Sequence, residues 1–255
     1  MESDDQKLNT MEDLDALILG CEEAGELLFT AWENLSDHDD YLLTNRDLKL
    51  DVDKLAEDKI LQRIKPYYAS CYTEESGWIG GEDTNHVLID GLDGTVNFAN
   101  NIPIFSVSAA IMNGPRPVAG VVVVPLNQQT FSRRAGCPLL VNRKHKKLIK
   151  RNKHCSESLL LSAITPTFFE GYPESGHCNY LEKFGKVRMV GSAAWSIAML
   201  ATGNIDAVYF PNIYKWDIMG GVALLDHDDF VIRITAHAND NDLCTLYAQG
   251  RWIID

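Results

Sequence analysis

His86-Val87-Leu88-Ile89-Asp90-Gly91-Leu92-Asp93-Gly94-Thr95 carries more chemical information than any other stretch of this chain. The short apolar run His86–Asp90 reads as a strand, and it delivers two aspartates three residues apart just before a Gly-Thr pair. Carboxylates at the end of a core strand lose hydration, and something cationic has to offset that loss. No Lys or Arg lies between Glu75 and Asp93 to do so. Carboxylate and carbonyl oxygens suit hard divalent cations such as magnesium, so Asp90 and Asp93 could share two ions, with the Leu92 carbonyl turned toward one of them. Gly94 and Thr95 would then open a helix whose free N–H groups face an anion. Two ordinary Asp-Gly turns are the alternative, but they explain either aspartate alone and not both after a buried strand.

Two further acidic elements fit the metal reading. Glu74-Glu75 lies sixteen residues before Asp90, far enough for a strand end to return beside it. Asp217, in Lys215-Trp216-Asp217-Ile218-Met219-Gly220-Gly221, stands where a strand and loop pass into a small-residue helix, and a carboxylate is electrostatically welcome there. Taken alone, Asp217 reads equally as a helix cap. Other acidic clusters have blander readings. Asp51-Val52-Asp53 mimics the nucleophile motif of haloacid dehalogenase-type phosphatases, but Lys54-Leu55 begins a helix where that motif needs small residues. Glu82-Asp83 reads as a solvated loop. The seven histidines show no metal-ligand spacing, and His86 reads as a core or edge residue.

Around this centre the chain alternates helices and strands. Leu14, Leu17, Ile18, Cys21, Ala24, Leu28 and Ala31 recur at steps of three and four, predicting a helix over 11–33. A second helix is expected from about Lys54 to Lys65, stopped by Pro66. The intervening Ser36–Asp53 segment, polar and acidic, reads as a loop or extended hairpin. Ile104–Met112 and Val118–Val124 read as strands joined by a turn at Gly114-Pro115, the second continuously apolar and so buried on both faces. Arg143–Lys153 holds seven of the chain's Lys and Arg residues and reads as a solvated segment near a domain boundary. The pattern then restarts with strands at Leu159–Ile164 and Ala207–Phe210 and helices at Ser192–Thr202 and Gly220–Leu225. Such alternation predicts an α/β layered architecture in two lobes, divided at residues 1–150 and 151–255.

Composition narrows the setting. The chain has 255 residues with 36 Asp and Glu against 23 Lys and Arg, a formal charge of −13, and 45% hydrophobic residues, as in an ordinary globular protein. That acidity argues against nucleic acid or an anionic membrane as the main partner. No apolar run approaches the roughly 20 residues that span a bilayer. The polar start, MESDDQKLNT, resembles neither a secretory signal nor a transit peptide, and the six scattered cysteines read as reduced, mostly buried thiols, so a cytoplasmic location is expected.

The run Asp90-Gly91-Leu92-Asp93-Gly94-Thr95-Val96-Asn97-Phe98, followed by Pro103 and Phe105-Ser106-Val107-Ser108, resembles the first signature of the inositol monophosphatase-like phosphatases, D-P-[ILM]-D-G-[ST]-x-N-F-x(4)-P. Trp216-Asp217 with Gly220-Gly221 is similar to the second, W-D-x-A-A-G. Gly191-Ser192-Ala193-Ala194 looks like the family's substrate-side loop, while Asp53 with Glu57, and Thr73-Glu74-Glu75-Ser76, match its upstream elements in order. The resemblance implies an α-β-α-β-α sandwich. It implies that Glu74, Asp90, the Leu92 carbonyl, Asp93 and Asp217 hold two or three Mg2+ ions, and that Glu74 and Thr95 orient the attacking water with Asp53 supporting Thr95. It further implies that the Gly94 and Thr95 N–H groups hold phosphate, with Asp93, Gly191, Ser192, Ala193, Asp217 and the position of Phe210 on the substrate side. The expected reaction is hydrolysis of a small-molecule phosphate monoester, inositol or another polyol or sugar phosphate first. Histidinol phosphate, fructose 1,6-bisphosphate and 3'-phosphoadenosine 5'-phosphate compete within the fold. Lithium sensitivity and a homodimer are implied too. A non-catalytic binding protein on the same scaffold is the alternative class; it would have lost one of Glu74, Asp90, Asp93, Thr95 or Asp217, and none is lost.

Three departures from the pattern stand out. Gly91 replaces the usual Pro and is expected to loosen the turn. Met219-Gly220 replaces Ala-Ala. Phe210 stands seven positions before Asp217, where the inositol-phosphate branch has an acidic residue, so weaker turnover of inositol 1-phosphate is expected; a local shift in alignment at Pro211-Asn212 is the equal alternative.

Overall fold

The apolar stripe at the start of the chain forms α1 (Met11–Glu33), whose Leu17, Cys21, Ala24 and Leu28 are fully buried. Each buried leucine contributes about 1.5–3 kcal/mol by leaving water. The computed structural model describes residues 11–35, 43–44, 47–48, 51–163, 178–238 and 240–254. The segment expected as a loop or hairpin therefore lies mostly outside the described residues, which there include only the paired β1 (Leu43–Thr44) and β2 (Asp47–Leu48) and the start of α2 (Asp51–Ile64). Helix α2 begins three residues before the expected start and packs along α1, with Ile60 and Ile64 fully buried.

Next come β3 (Cys71–Thr73), β4 (Gly77–Ile79), β5 (Asn85–Asp93), the short α3 (Thr95–Ala99), β6 (Ser106–Asn113), β7 (Arg116–Val124), β8 (Gln129–Arg134), β9 (Leu140–Val141) and β10 (Lys144–His145). They build one eight-stranded sheet in the order β10-β9-β8-β7-β6-β5-β3-β4, antiparallel except where β3 runs parallel to β5. The continuously apolar β7 lies in its interior, and Val121 and Val122 are both fully buried on opposite faces. Strand β8 is hidden from the sequence by Arg133 and Arg134. Both are buried: Arg133 donates to the Ala223, Leu225 and Cys137 carbonyls and to Asp226, and Arg134 pairs with Asp13 of α1.

The basic stretch Arg143–Lys153 links this sheet to β11 (Lys153–His154) and is mostly exposed, as a solvated segment should be. Strand β12 (Leu159–Ser162), helix α4 (Cys178–Lys183), β13 (Lys186–Arg188), α5 (Ala193–Ala201), β14 (Ala207–Tyr214), α6 (Lys215–Leu224), β15 (Phe230–His237), β16 (Asp240–Gly250) and β17 (Ile253–Ile254) follow. A five-stranded sheet has the order β13-β12-β14-β16-β15, and β17 pairs with β11. Helices α1 and α2 cover one face of the large sheet; α5 and α6 fill the space between its other face and the small sheet. The result is a layered α/β fold, with α4 in the crossover between β12 and β13.

Helix α6 starts at Lys215 rather than at the expected Gly220, so Asp217 sits inside its first turn. The glycines that hid this start have a packing role. A Cβ on Gly220 would lie 2.5 Å from Ser108 Oγ and 2.9 Å from the Ala109 nitrogen, and one on Gly120 would lie 2.3 Å from the Gly220 carbonyl oxygen. Bare backbone at both positions lets α6 seat directly on β6 and β7. No helix among the described residues is long and apolar enough to cross a membrane.

Candidate active site

Strand pairing and one side-chain hydrogen bond bring three acidic residues together. Parallel pairing sets Thr73 of β3 opposite Ile89 of β5, and the Glu74 N–H donates to the Ile89 carbonyl at 3.2 Å. Glu74 thus emerges beside Asp90. On the other flank Asp90 pairs across the sheet with Ser108 of β6, and Ser108 Oγ donates to the Trp216 carbonyl at 3.3 Å. That bond ties the first turn of α6, and with it Asp217, to the strand next to Asp90. Carboxylate oxygens of Glu74, Asp90 and Asp217 lie within 4.8 Å of one another, with Asp90 buried and Glu74 the most open.

Burial and mutual repulsion act together on this trio. The Asp90 carboxyl is pushed well above the ordinary carboxylate range by burial first, then by Glu74, Asp93 and Asp217. Asp217 is pushed well up too, by burial and then by Glu74 and Asp93. Asp90 Oδ1 accepts the Leu92 N–H at 2.9 Å, but its buried Oδ2 has no hydrogen-bond partner among the described residues. A buried carboxylate oxygen left unpaired inside an acidic cluster is strongly unfavourable in the absence of a cation. The all-oxygen donor set suits magnesium rather than a softer metal. The residues present fit a divalent cation.

Asp93 is arranged differently. Pairing slips between Asp90 and Asp93, so three residues on β5 span two on β6, and the extra residue turns Asp93 to the face that a regular strand would deny it. Its carboxylate accepts from Ser106 Oγ at 3.0 Å, from Ser192 Oγ, and from the N–H groups of Ala193 (3.1 Å) and Ala194 (2.8 Å). Asp93 therefore caps the start of α5 from the neighbouring sheet, where a negative charge complements the helix dipole. Burial raises its pKa, and these hydrogen bonds counter the rise. Gly191, Ser192 and Ala193 come beside the metal-side strand through this clasp.

Gly94 adopts φ 94° and precedes α3; Thr95 Oγ1 donates to the Leu92 carbonyl at 3.0 Å. Asp53 is buried on α2 against the β5 backbone: a Cβ at Gly91 would stand 2.7 Å from the Asp53 carbonyl oxygen and 2.8 Å from its Oδ1. Gly91 thus marks a close helix–strand contact rather than a loosened turn. Phe210 is 2% exposed and packs in the core, with its β14 backbone paired opposite Leu246 of β16. Its side chain does not stand open to a ligand. Pairing with β16 slips just beyond it, across Pro211-Asn212, where Asn212 has φ 53°.

Several contributors carry no role in the sequence reading. Asn97 Nδ2 donates to the Ile104 and Val190 carbonyls, both at 2.7 Å, and so fixes the loop before Gly191. Ser106 and Ser108 hold Asp93 and the Asp217 turn. All three lie inside the quoted run, so their type and place were visible; their distant partners Val190, Ser192 and Trp216, 86 to 108 residues away, were not.

Compared with known proteins, residues 11–227 match the family described as the inositol monophosphatase family. The inositol-1-monophosphatase of Caulobacter vibrioides is 29% identical over 221 residues, covering 83% of this chain and 81% of that protein. A fructose-1,6-bisphosphatase/inositol-1-monophosphatase of Thermococcus kodakarensis is 30% identical, covering 86% of this chain and 78% of that protein. The crystal structure of extragenic suppressor protein suhB from Bartonella henselae matches with a TM-score of 0.80 at 23% identity, covering 93% of each chain.

Proposed function

The chain belongs to the inositol monophosphatase family, and on that premise we propose that it is a magnesium-dependent phosphatase of small-molecule phosphate monoesters. The convergence of Glu74, Asp90 and Asp217, with the Asp90 Oδ2 left buried and unpartnered, carries this reading. Glu74, Asp90, the Leu92 carbonyl, Asp93 and Asp217 would hold two or three ions. When bound, magnesium supplies Lewis acidity and neutralises charge developing on the phosphoryl oxygens. Phosphate-monoester hydrolysis is among the slowest uncatalysed reactions, and help of this kind is what a catalyst has to provide.

The chain's own groups do the rest. The Thr95 hydroxyl directs its proton to the Leu92 carbonyl, which leaves its oxygen lone pairs to accept a hydrogen bond from the attacking water, whose proton passes to the Glu74 carboxylate. Glu74, on the open side of the trio, is the second acceptor and aligns that water toward phosphorus. Asp53 supports the turn from behind. The N–H groups of Gly94 and Thr95 receive the phosphate, and Gly191, Ser192 and Ala193 border it through the Asp93 clasp. Attack is direct, giving alcohol and inorganic phosphate with no phosphoenzyme.

Phe210 is buried in the core and makes no contact with the alcohol part, so inositol 1-phosphate stands beside the fold's other phosphate esters as a candidate. The test is a phosphate-release screen. Inositol 1-phosphate, fructose 1,6-bisphosphate, histidinol phosphate and 3'-phosphoadenosine 5'-phosphate are offered with and without Mg2+. Turnover that requires Mg2+ and is inhibited by lithium supports the proposal; turnover unaffected by a chelator refutes it.

A further inference from the structure

Glu57 is fully buried on α2, one helical turn beyond Asp53, and among the described residues its carboxylate bonds to the turn that carries Glu74. Its Oε1 accepts the Glu75 N–H at 2.9 Å, and its Oε2 accepts the Ser76 hydroxyl at 3.4 Å. The Thr73 hydroxyl also bonds to this carboxylate, while its oxygen accepts the Ser76 N–H at 3.0 Å. The network closes on itself around the turn. Every residue from Thr73 to Ser76 apart from Glu74 donates to Glu57, and Glu74 is left facing Asp90 and Asp217.

The same helix is indexed against the other ligands. The Glu57 nitrogen would lie 3.0 Å from a Cβ placed on Gly91, the residue between Asp90 and Leu92. One rigid element thus touches both the backbone of the Asp90–Asp93 turn and the turn that carries Glu74. We infer that Glu57 is a positioning residue for the divalent-cation site, setting the height of Glu74 against Asp90 without itself contacting the ion. This rests on the metal role proposed above for Glu74. Partners that orient metal ligands in this way affect affinity by about 10–100-fold.

The test uses the full chain and Mn2+ as the probe, with binding read by calorimetry and by the Mn2+ spin signal. Thermal melts and circular dichroism check that each variant is folded. E57A is expected to bind Mn2+ at least about tenfold more weakly. It should also lose hydrogen-exchange protection at the Glu75 amide. E57Q keeps the length and an acceptor for that amide, and the Ser76 and Thr73 hydroxyls can rotate to suit the new NH2 group. It should bind within about threefold of wild type. Should E57A fail to fold, Thr73→Val, which deletes the hydroxyl shared by Glu57 and the Ser76 N–H, is expected to weaken Mn2+ binding in the same direction. Wild-type affinity in E57A, or in Thr73→Val where E57A does not fold, overturns the inference and leaves the phosphatase reading standing. So does equal loss in E57Q and E57A, which would mean that the charge of Glu57 acts on the ion directly. A wild-type protein that binds no Mn2+ overturns the phosphatase reading first.

Discussion

Gly91→Ala is the smallest change that challenges the contact between α2 and the metal-side strand. The new methyl would stand 2.7 Å from the Asp53 carbonyl oxygen, 2.8 Å from its Oδ1 and 3.0 Å from the Glu57 nitrogen. Two of these are backbone atoms, so no side-chain rotation relieves them, and α2 has to move by several tenths of an ångström. Overpacking of this kind costs about 1–3 kcal/mol. For a chain of this size the melting temperature should fall by roughly 2–12 °C. The displacement also shifts Asp53 and Glu57, so Mg2+ affinity should fall with stability. The usual Pro of the family carries the same Cβ, and Gly91→Pro should be at least as disruptive in this chain. Melts by circular dichroism with and without Mg2+, together with calorimetric Mg2+ titration, read both effects. A variant that melts within about 1 °C of wild type and binds Mg2+ equally well would show that α2 is not seated on β5 as described.

Three further outcomes are expected. Phe210→Glu would place an unpaired carboxylate in the core and should destabilise the fold severely, seen as loss of the cooperative melt, so substrate choice cannot be probed by restoring an acid there. Among the described cysteines, Cys137 alone is exposed and should react rapidly with a thiol reagent in the native protein. Cys21, Cys71, Cys155 and Cys244 should react only on unfolding, burial having pushed Cys71 and Cys244 up to about 11. The folded-state pKa values of Asp90 and Asp217 lie above the unfolded 3.8, so their ionised forms oppose folding at neutral pH, and the penalty fades as pH falls through the raised values. Metal-free Asp90→Asn should therefore melt above metal-free wild type at about pH 8, by a margin that shrinks toward about pH 5 and reverses when Mg2+ is added. A margin that grows on acidification would contradict the assigned directions.

The core of the site was legible because it is local. Asp90, Asp93 and Thr95 share one strand and turn, and two carboxylates after a buried strand raise a charge problem that a reader of the sequence can see. The helix stripe of α1 and the apolar run of β7 declared themselves by periodicity. What stayed hidden depends on distant partners. Strand β8 ends in two buried arginines, intelligible only once Asp13 and Asp226 are known to meet them. Strand β15 lies at the edge of the small sheet and exposes Arg233–Ala236 in succession, on both faces, so no apolar–polar alternation marks it. The early start of α6 was masked by Gly220-Gly221, which looks like a break and serves as a packing surface. The hydrogen bonds that commit Asp93 to α5 link residues about a hundred positions apart, and no spacing rule announces them.

Soaking crystals in Mn2+ and mapping its anomalous scattering shows whether the acidic trio holds a cation. A peak should stand within about 2.0–2.3 Å of carboxylate oxygens of Glu74, Asp90 and Asp217, with Asp90 Oδ2 among its ligands. Strong Mn2+ peaks elsewhere with none between these three residues would contradict the cation reading.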